Sequence, residues 1–102
     1  MPRTKETNAG YKIIQSETYG RRNDKAAKLE HRIVLGEMHT KRGATQYVVW
    51  HNDCGVYHPG SDRETPVNSY YWGHYFASKL EAYSDYHMTL GWKYKDPTIE
   101  KD

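Results

Sequence analysis

The decapeptide Trp50-His51-Asn52-Asp53-Cys54-Gly55-Val56-Tyr57-His58-Pro59 holds the only cysteine of the chain with a histidine on either side. His51, Cys54 and His58 are spaced by three and four residues, as metal ligands often are, and Asp53 or Asp62 could complete a tetrahedral set. Catalysis would instead require a Cys54 thiolate favoured by a neighbouring imidazolium and oriented by a third group, with His51 and Asp53 as partners. A third reading is structural. Asn-Asp followed by Gly is turn chemistry, because short Asx side chains bond nearby amides and tolerate positive φ. The turn reading places "NDCG" (52–55) at the end of a strand and expects neither a metal nor a catalytic residue; an enzyme or metal protein centred on His51/Cys54/His58 ranks third among the functional readings.

Other catalytic signatures are incomplete. His87-Met88-Thr89 has the H-x-T form of two-histidine phosphoesterases, but such enzymes need a second copy so that one histidine is base and the other acid. No G-x-G-x-x-G or G-x-x-x-x-G-K loop occurs, and no cofactor is expected.

The elements that must position these groups are those of one small α+β domain. The chain has 102 residues, enough for a single core. Leu, Ile, Val and Phe are few, but ten Tyr and three Trp supply large apolar area with polar tips, so the expected core is aromatic. Residues 1–9 read as a flexible arm, 10–95 as the domain and 96–102 as a polar tail. Residues 11–19, 31–40, 45–52 and 69–76 read as about four antiparallel strands, with a tight turn at 41–44 using Gly43 and with Gly73 marking a bulge or close contact. Residues 21–31 and 56–68 read as connections. Ser78-Lys79-Leu80-Glu81 is a capping box, so a helix starts there, packs on one sheet face through Leu80, Tyr83, His87 or Tyr86, and Leu90, and stops at Gly91. Lys93 and Lys95 then lie just past its end.

Charge is uneven. Residues 1–51 carry ten Lys/Arg against five Asp/Glu, and residues 52–102 carry five against eight. Arg21, Arg22, Lys25, Lys28 and Arg32 cluster in sequence, with Lys41 and Arg42 at a hairpin tip, and this segment could meet nucleic acid or an acidic protein. The aromatic run Tyr70, Tyr71, Trp72, His74, Tyr75 and Phe76 cannot all be buried by one strand face, so Tyr70 and Trp72 are candidate interface anchors; a homodimer would also cover them. A single cysteine forms no internal disulfide, and no apolar run suggests a signal peptide or membrane span, so a reducing, cytoplasmic setting is expected, without a membrane partner.

The run "SYYWGHYFASKLEAYSDY", an aromatic strand entering a capped helix, resembles the small accessory proteins that bacteriophages encode beside their replication genes. The likeness spans residues 45–90. It implies a non-catalytic protein that binds and blocks or redirects a bacterial host factor, without assigning a role to any residue. Together these features predict a non-enzymatic binding module with Arg21, Arg22, Lys25, Arg32, Lys41, Arg42, Tyr70 and Trp72 at its partner surface. A nucleic-acid-binding domain using residues 21–42 is the alternative.

Overall fold

The computed structural model describes residues 6–95. The elements in chain order are β1 (Thr7–Asn8), β2 (Tyr11–Asn23), β3 (Ala27–His39), β4 (Thr45–Tyr57), β5 (Thr65–Phe76) and α1 (Lys79–Lys95). The strands form one antiparallel sheet of order β1-β2-β3-β4-β5, and the α+β class holds, with five strands rather than about four. The added strand is β1, next to which Glu6 is held by Arg32. The expected polar tail, 96–102, lies outside the described residues.

The strands are longer than their apolar cores suggest. β2, β3 and β4 each run 13 residues, roughly 40 Å at about 3.3 Å per residue. Residues 21–31, expected as a connection, instead complete β2 and begin β3 around a three-residue turn. Asp24 makes that turn: its Oδ1 accepts from the amides of Ala26 (2.8 Å) and Ala27 (2.9 Å). The loop expected over 56–68 is confined to 58–64, between β4 and β5.

The segment 52–55 is strand, not turn. Asn52 is fully buried, and its side chain accepts from Arg32 Nε (2.8 Å) and donates to Asn68 Oδ1 (2.8 Å) and the Ser69 carbonyl (3.1 Å). Such tertiary bonds override the turn preference of an Asx residue. Gly55 has φ +151°, and a Cβ there would sit 1.9 Å from the Lys28 carbonyl oxygen, so this glycine permits close approach of β4 to β3 rather than a reversal. At the other end of the same hairpin Gly43 does serve a turn, with φ +84°.

Two cores lie on opposite faces of the sheet. On one, Tyr19, Ile33, Leu35, Tyr47 and Val49 pack against Ala82, Tyr86 and Leu90 of α1. On the other, Tyr11, Ile13, Val34, Val48 and Trp50 pack without a helix. The sheet itself closes over this second core. Tyr11 near one edge meets Tyr75 at the other (ring centroids 6.1 Å), and the Tyr70 hydroxyl donates to Glu6. No strand pairing joins β5 to β1 or β2 among the described residues, so the sheet is strongly curled but open.

The helix begins as its cap predicts, with Ser78 Oγ accepting from the Glu81 amide at 3.3 Å. It does not end at Gly91, and Trp92, Lys93 and Tyr94 are helical. Its buried stripe is Ala82, Tyr86, Thr89 and Leu90, whereas Leu80 is 79% exposed. The predicted phase was set by Leu80; the sheet selects the smaller Ala82 and Thr89, which allow α1 to approach closely.

Candidate functional site

Strand geometry disposes of the His51/Cys54/His58 constellation. Successive side chains alternate faces, so residues three apart point oppositely. His51 lies on the helix side, beside Ile33 and Tyr71, while Cys54 lies on the opposite side, beside Glu30 and Asn68. His58 is exposed, past the end of β4, with φ +56°. No metal-binding group of three or more His, Cys, Asp or Glu occurs among the described residues.

The basic segment is also divided. Arg21, Arg22 and Lys25 sit at the β2–β3 end, whereas Lys41 and Arg42 occupy the β3–β4 turn, the length of β3 away. Arg22 Nε donates to Asp24 Oδ2 at 2.8 Å, and Arg21 lies 4.0 Å from Glu30. Arg32, 8% exposed, directs its guanidinium inward to Glu6 Oε2 (2.7 Å) and Asn52, so it is a structural residue rather than a surface contact. A groove of about 300 Å³ remains at this end, lined by Arg21, Arg22, Lys28, Glu30 and Cys54 among others.

Of the two aromatic candidates, Tyr70 is half-buried. It packs edge-on to Trp50 (5.5 Å), and burial together with its bond to Glu6 pushes its hydroxyl pKa up to about 12. Trp72 is different. β4 and β5 shift register between Val49 and His51, so that Trp50 faces both Trp72 and Gly73. This bulge depends on Gly73, where a Cβ would meet Trp50 Nε1 at 2.6 Å, and it gives Trp72 φ +54°. Trp72 thereby joins Tyr71 on the helix side and is 67% exposed.

A cleft of about 370 Å³ opens there, lined by His51 of β4, Trp72 and His74 of β5, and Thr89, Trp92 and Lys93 of α1. Trp92 is 68% exposed, and no ring contact joins it to Trp72. The Lys93 ammonium lies 5.7 Å from the Tyr19 ring centroid and 5.9 Å from that of Trp72, and makes no ion pair among the described residues. His51 lies edge-on to Trp72 (5.1 Å) and stacks on Tyr71 (5.6 Å); it is 8% exposed, and its buried Nδ1 lacks a hydrogen-bond partner.

The surroundings of this imidazole favour its neutral form. Burial lowers the His51 pKa, and the positive fields of Lys93 and His74 lower it further, outweighing the opposing pull of Asp53 and Asp85. Asp53 is engaged beside the cleft, bonded to His31 Nδ1 (2.7 Å) and accepting from the Tyr71 hydroxyl (3.2 Å). Burial, then Asp53, raises the Tyr71 pKa well above its ordinary value. His74 Nδ1 meets Asp85 Oδ2 at 3.1 Å, tying β5 to α1 at the rim. The cleft thus offers two exposed indoles, one ammonium with no ion pair among the described residues, and a buried imidazole whose pKa is lowered.

Sequence reasoning named Trp72 as a partner-surface candidate but did not bring Trp92, Lys93, His74, Thr89 or His51 together with it. A helix continued through Gly91 would have placed Trp92 and Lys93 on α1; nothing in the local spacing joins α1 to His51. Comparison of the chain with protein-family models, with curated proteins and with solved structures finds no match in any of the three.

Proposed function

We propose that the chain is a non-enzymatic binding module that engages a protein partner at the cleft between β5 and α1. The observation that carries this reading is the pair of indoles, Trp72 and Trp92, each about two-thirds exposed and lining a cleft that also holds Lys93, which makes no ion pair among the described residues. Large exposed aromatics flanked by a cation are characteristic anchors of protein interfaces. The separation of His51 from Cys54 across the sheet removes the one nucleophile and base pairing suggested by the sequence. In the phage-type reading, the partner is a bacterial protein that the module binds and blocks. Affinity capture from nuclease-treated bacterial lysate tests this: a stoichiometric protein retained by the native chain is expected to be lost from Trp72→Asn and Trp92→Ala.

A second reading, nucleic-acid binding, is favoured by the groove at Arg21, Arg22 and Lys28. It requires binding that weakens steeply with salt and falls uniformly across sequences in Arg21→Ala. Lys41 and Arg42 lie at the opposite end of the long hairpin and contribute only if the nucleic acid spans that length.

A further inference from the structure

We infer that the β5–α1 cleft receives an aromatic ring with a carboxylate beside it, as presented by the C-terminal aromatic residue of a partner chain. This inference rests on the cleft being the protein contact, and it names the chemistry of what enters.

Shape supplies the ring. Trp72 and Trp92 line the same cleft, both are about two-thirds exposed, and no ring contact joins them. A flat aromatic guest in the cleft would cover apolar surface of both indoles. The backbone of Trp72 supports the same conclusion. A bulky residue at φ +54° is strained, and the bulge that causes this strain is also what turns the indole towards α1. A residue tolerating positive φ at no cost would leave the cleft without one wall.

Charge supplies the carboxylate. His74 has Asp85 as its acidic partner, whereas the Lys93 ammonium meets no carboxylate among the described residues and is held by cation–π contacts to Tyr19 and Trp72. One positive charge beside an aromatic slot complements one negative charge beside a ring. His51 lines the same cleft, and a carboxylate near Lys93 would offset the positive field by which Lys93 disfavours protonation of this ring.

The matched probes are N-acetyl-tryptophan and N-acetyl-tryptophanamide, which share the ring and differ in the carboxylate. Binding is read from the indole Nε1–H signals of Trp50, Trp72 and Trp92 in 15N-labelled full-length protein, assigned with single Trp variants. Saturable shifts of the Trp72 and Trp92 signals by N-acetyl-tryptophan are expected with a Kd on the order of 1 mM, given the size of the probe. Trp50, enclosed in the opposite core, should not move. Affinity should drop about fivefold for the amide and by a similar factor for Lys93→Met, with Lys93→Arg restoring it. Lys93 is on the surface of α1, and unchanged far-UV circular dichroism verifies that its variants fold. Equal binding of acid and amide, or Lys93→Met binding as well as the native chain, overturns the carboxylate assignment. Absence of any saturable shift at Trp72 and Trp92 overturns the inference altogether. Neither failure touches the broader protein-binding reading, which stands or falls on partner capture by the Trp variants.

Discussion

Arg32 Nη2 and Glu6 Oε2 meet at 2.7 Å across 26 residues of chain, joining the segment before β1 to the middle of the sheet. Arg32 also donates to Asn52, and Glu6 also accepts from Tyr70, so this pair links β3, β4 and β5 to the N-terminal segment. Breaking a largely buried ion pair from one side leaves a charge without compensation. Arg32→Ala should therefore cost about 3–5 kcal/mol in chemical denaturation. Glu6→Gln should cost less, roughly 1–2 kcal/mol, since the amide keeps some of the hydrogen bonding. It should also bring the Tyr70 hydroxyl pKa down part of the way, burial being the larger cause of its elevation. Loss of under 0.5 kcal/mol in Arg32→Ala, measured by urea unfolding, would show that the linkage is not structural.

His51 makes stability depend on pH in a defined direction. Its folded pKa lies below the unfolded value of about 6.5, so between the two values the unfolded chain binds the proton and the native chain resists it. Stability is then fully present above about pH 7 and declines as pH falls through that window. His51→Phe keeps a ring against Tyr71 and Trp72 and removes the titrating group. The drop in Tm between about pH 7.5 and 5.5 should shrink in this variant. Lys93→Met should raise the His51 pKa, as read from its imidazole proton shifts, because it removes the larger of the two positive fields on this ring. An unchanged His51 titration would contradict the cleft electrostatics.

Gly55 is required by the approach of two backbones. The Cβ of an alanine would lie 1.9 Å from the Lys28 carbonyl oxygen and 2.9 Å from Leu29 Cα, and neither can swing away as a side-chain tip could. Gly55→Ala should destabilise the chain by about 3 kcal/mol or more, with separation of β3 and β4 near the β2–β3 turn. Gly43→Ala is the control, since nothing lies within 4 Å of its Cβ and only the positive φ is penalised. It should cost about 1 kcal/mol. Equal costs at the two positions would argue against the close approach.

Trp72 carries backbone strain that a different residue would relieve. Asn tolerates the left-handed region, so Trp72→Asn should leave stability within about 0.5 kcal/mol of the native chain, the lost contacts to His51 and Tyr71 being offset by relief at φ. Thermal unfolding provides the comparison; a loss above about 2 kcal/mol would make Trp72 a packing residue instead.

Much of the scaffold was legible and little of the cleft was. The hairpin of β3 and β4 was marked by β-branched runs around Gly43, the bulge by Gly73, and the helix start by Ser78, all local signals with local causes. Strand ends were misread because polar residues such as Arg22 and Asn23 read as connection, although their backbones pair with Leu29 and Lys28. Asn52 and Gly55 looked like a turn because their use depends on Arg32, Asn68 and the Lys28 carbonyl, partners distant in sequence. The basic residues at 21–25 and those at 41–42 were separated by the length of β3. The cleft unites His51, Trp72 and Trp92 from three elements, and only the tertiary crossing of α1 over β4 and β5 brings them together.

The most direct test is affinity capture with the tagged protein, its Trp72→Asn and Trp92→Ala variants and nuclease treatment in parallel, followed by mass spectrometry. The account predicts one stoichiometric protein that survives nuclease, is held by the native chain and is lost from both folded variants. Retention of the same protein by both variants, or bound material that vanishes entirely with nuclease, would contradict it and transfer attention to the groove at Arg21, Arg22 and Lys28.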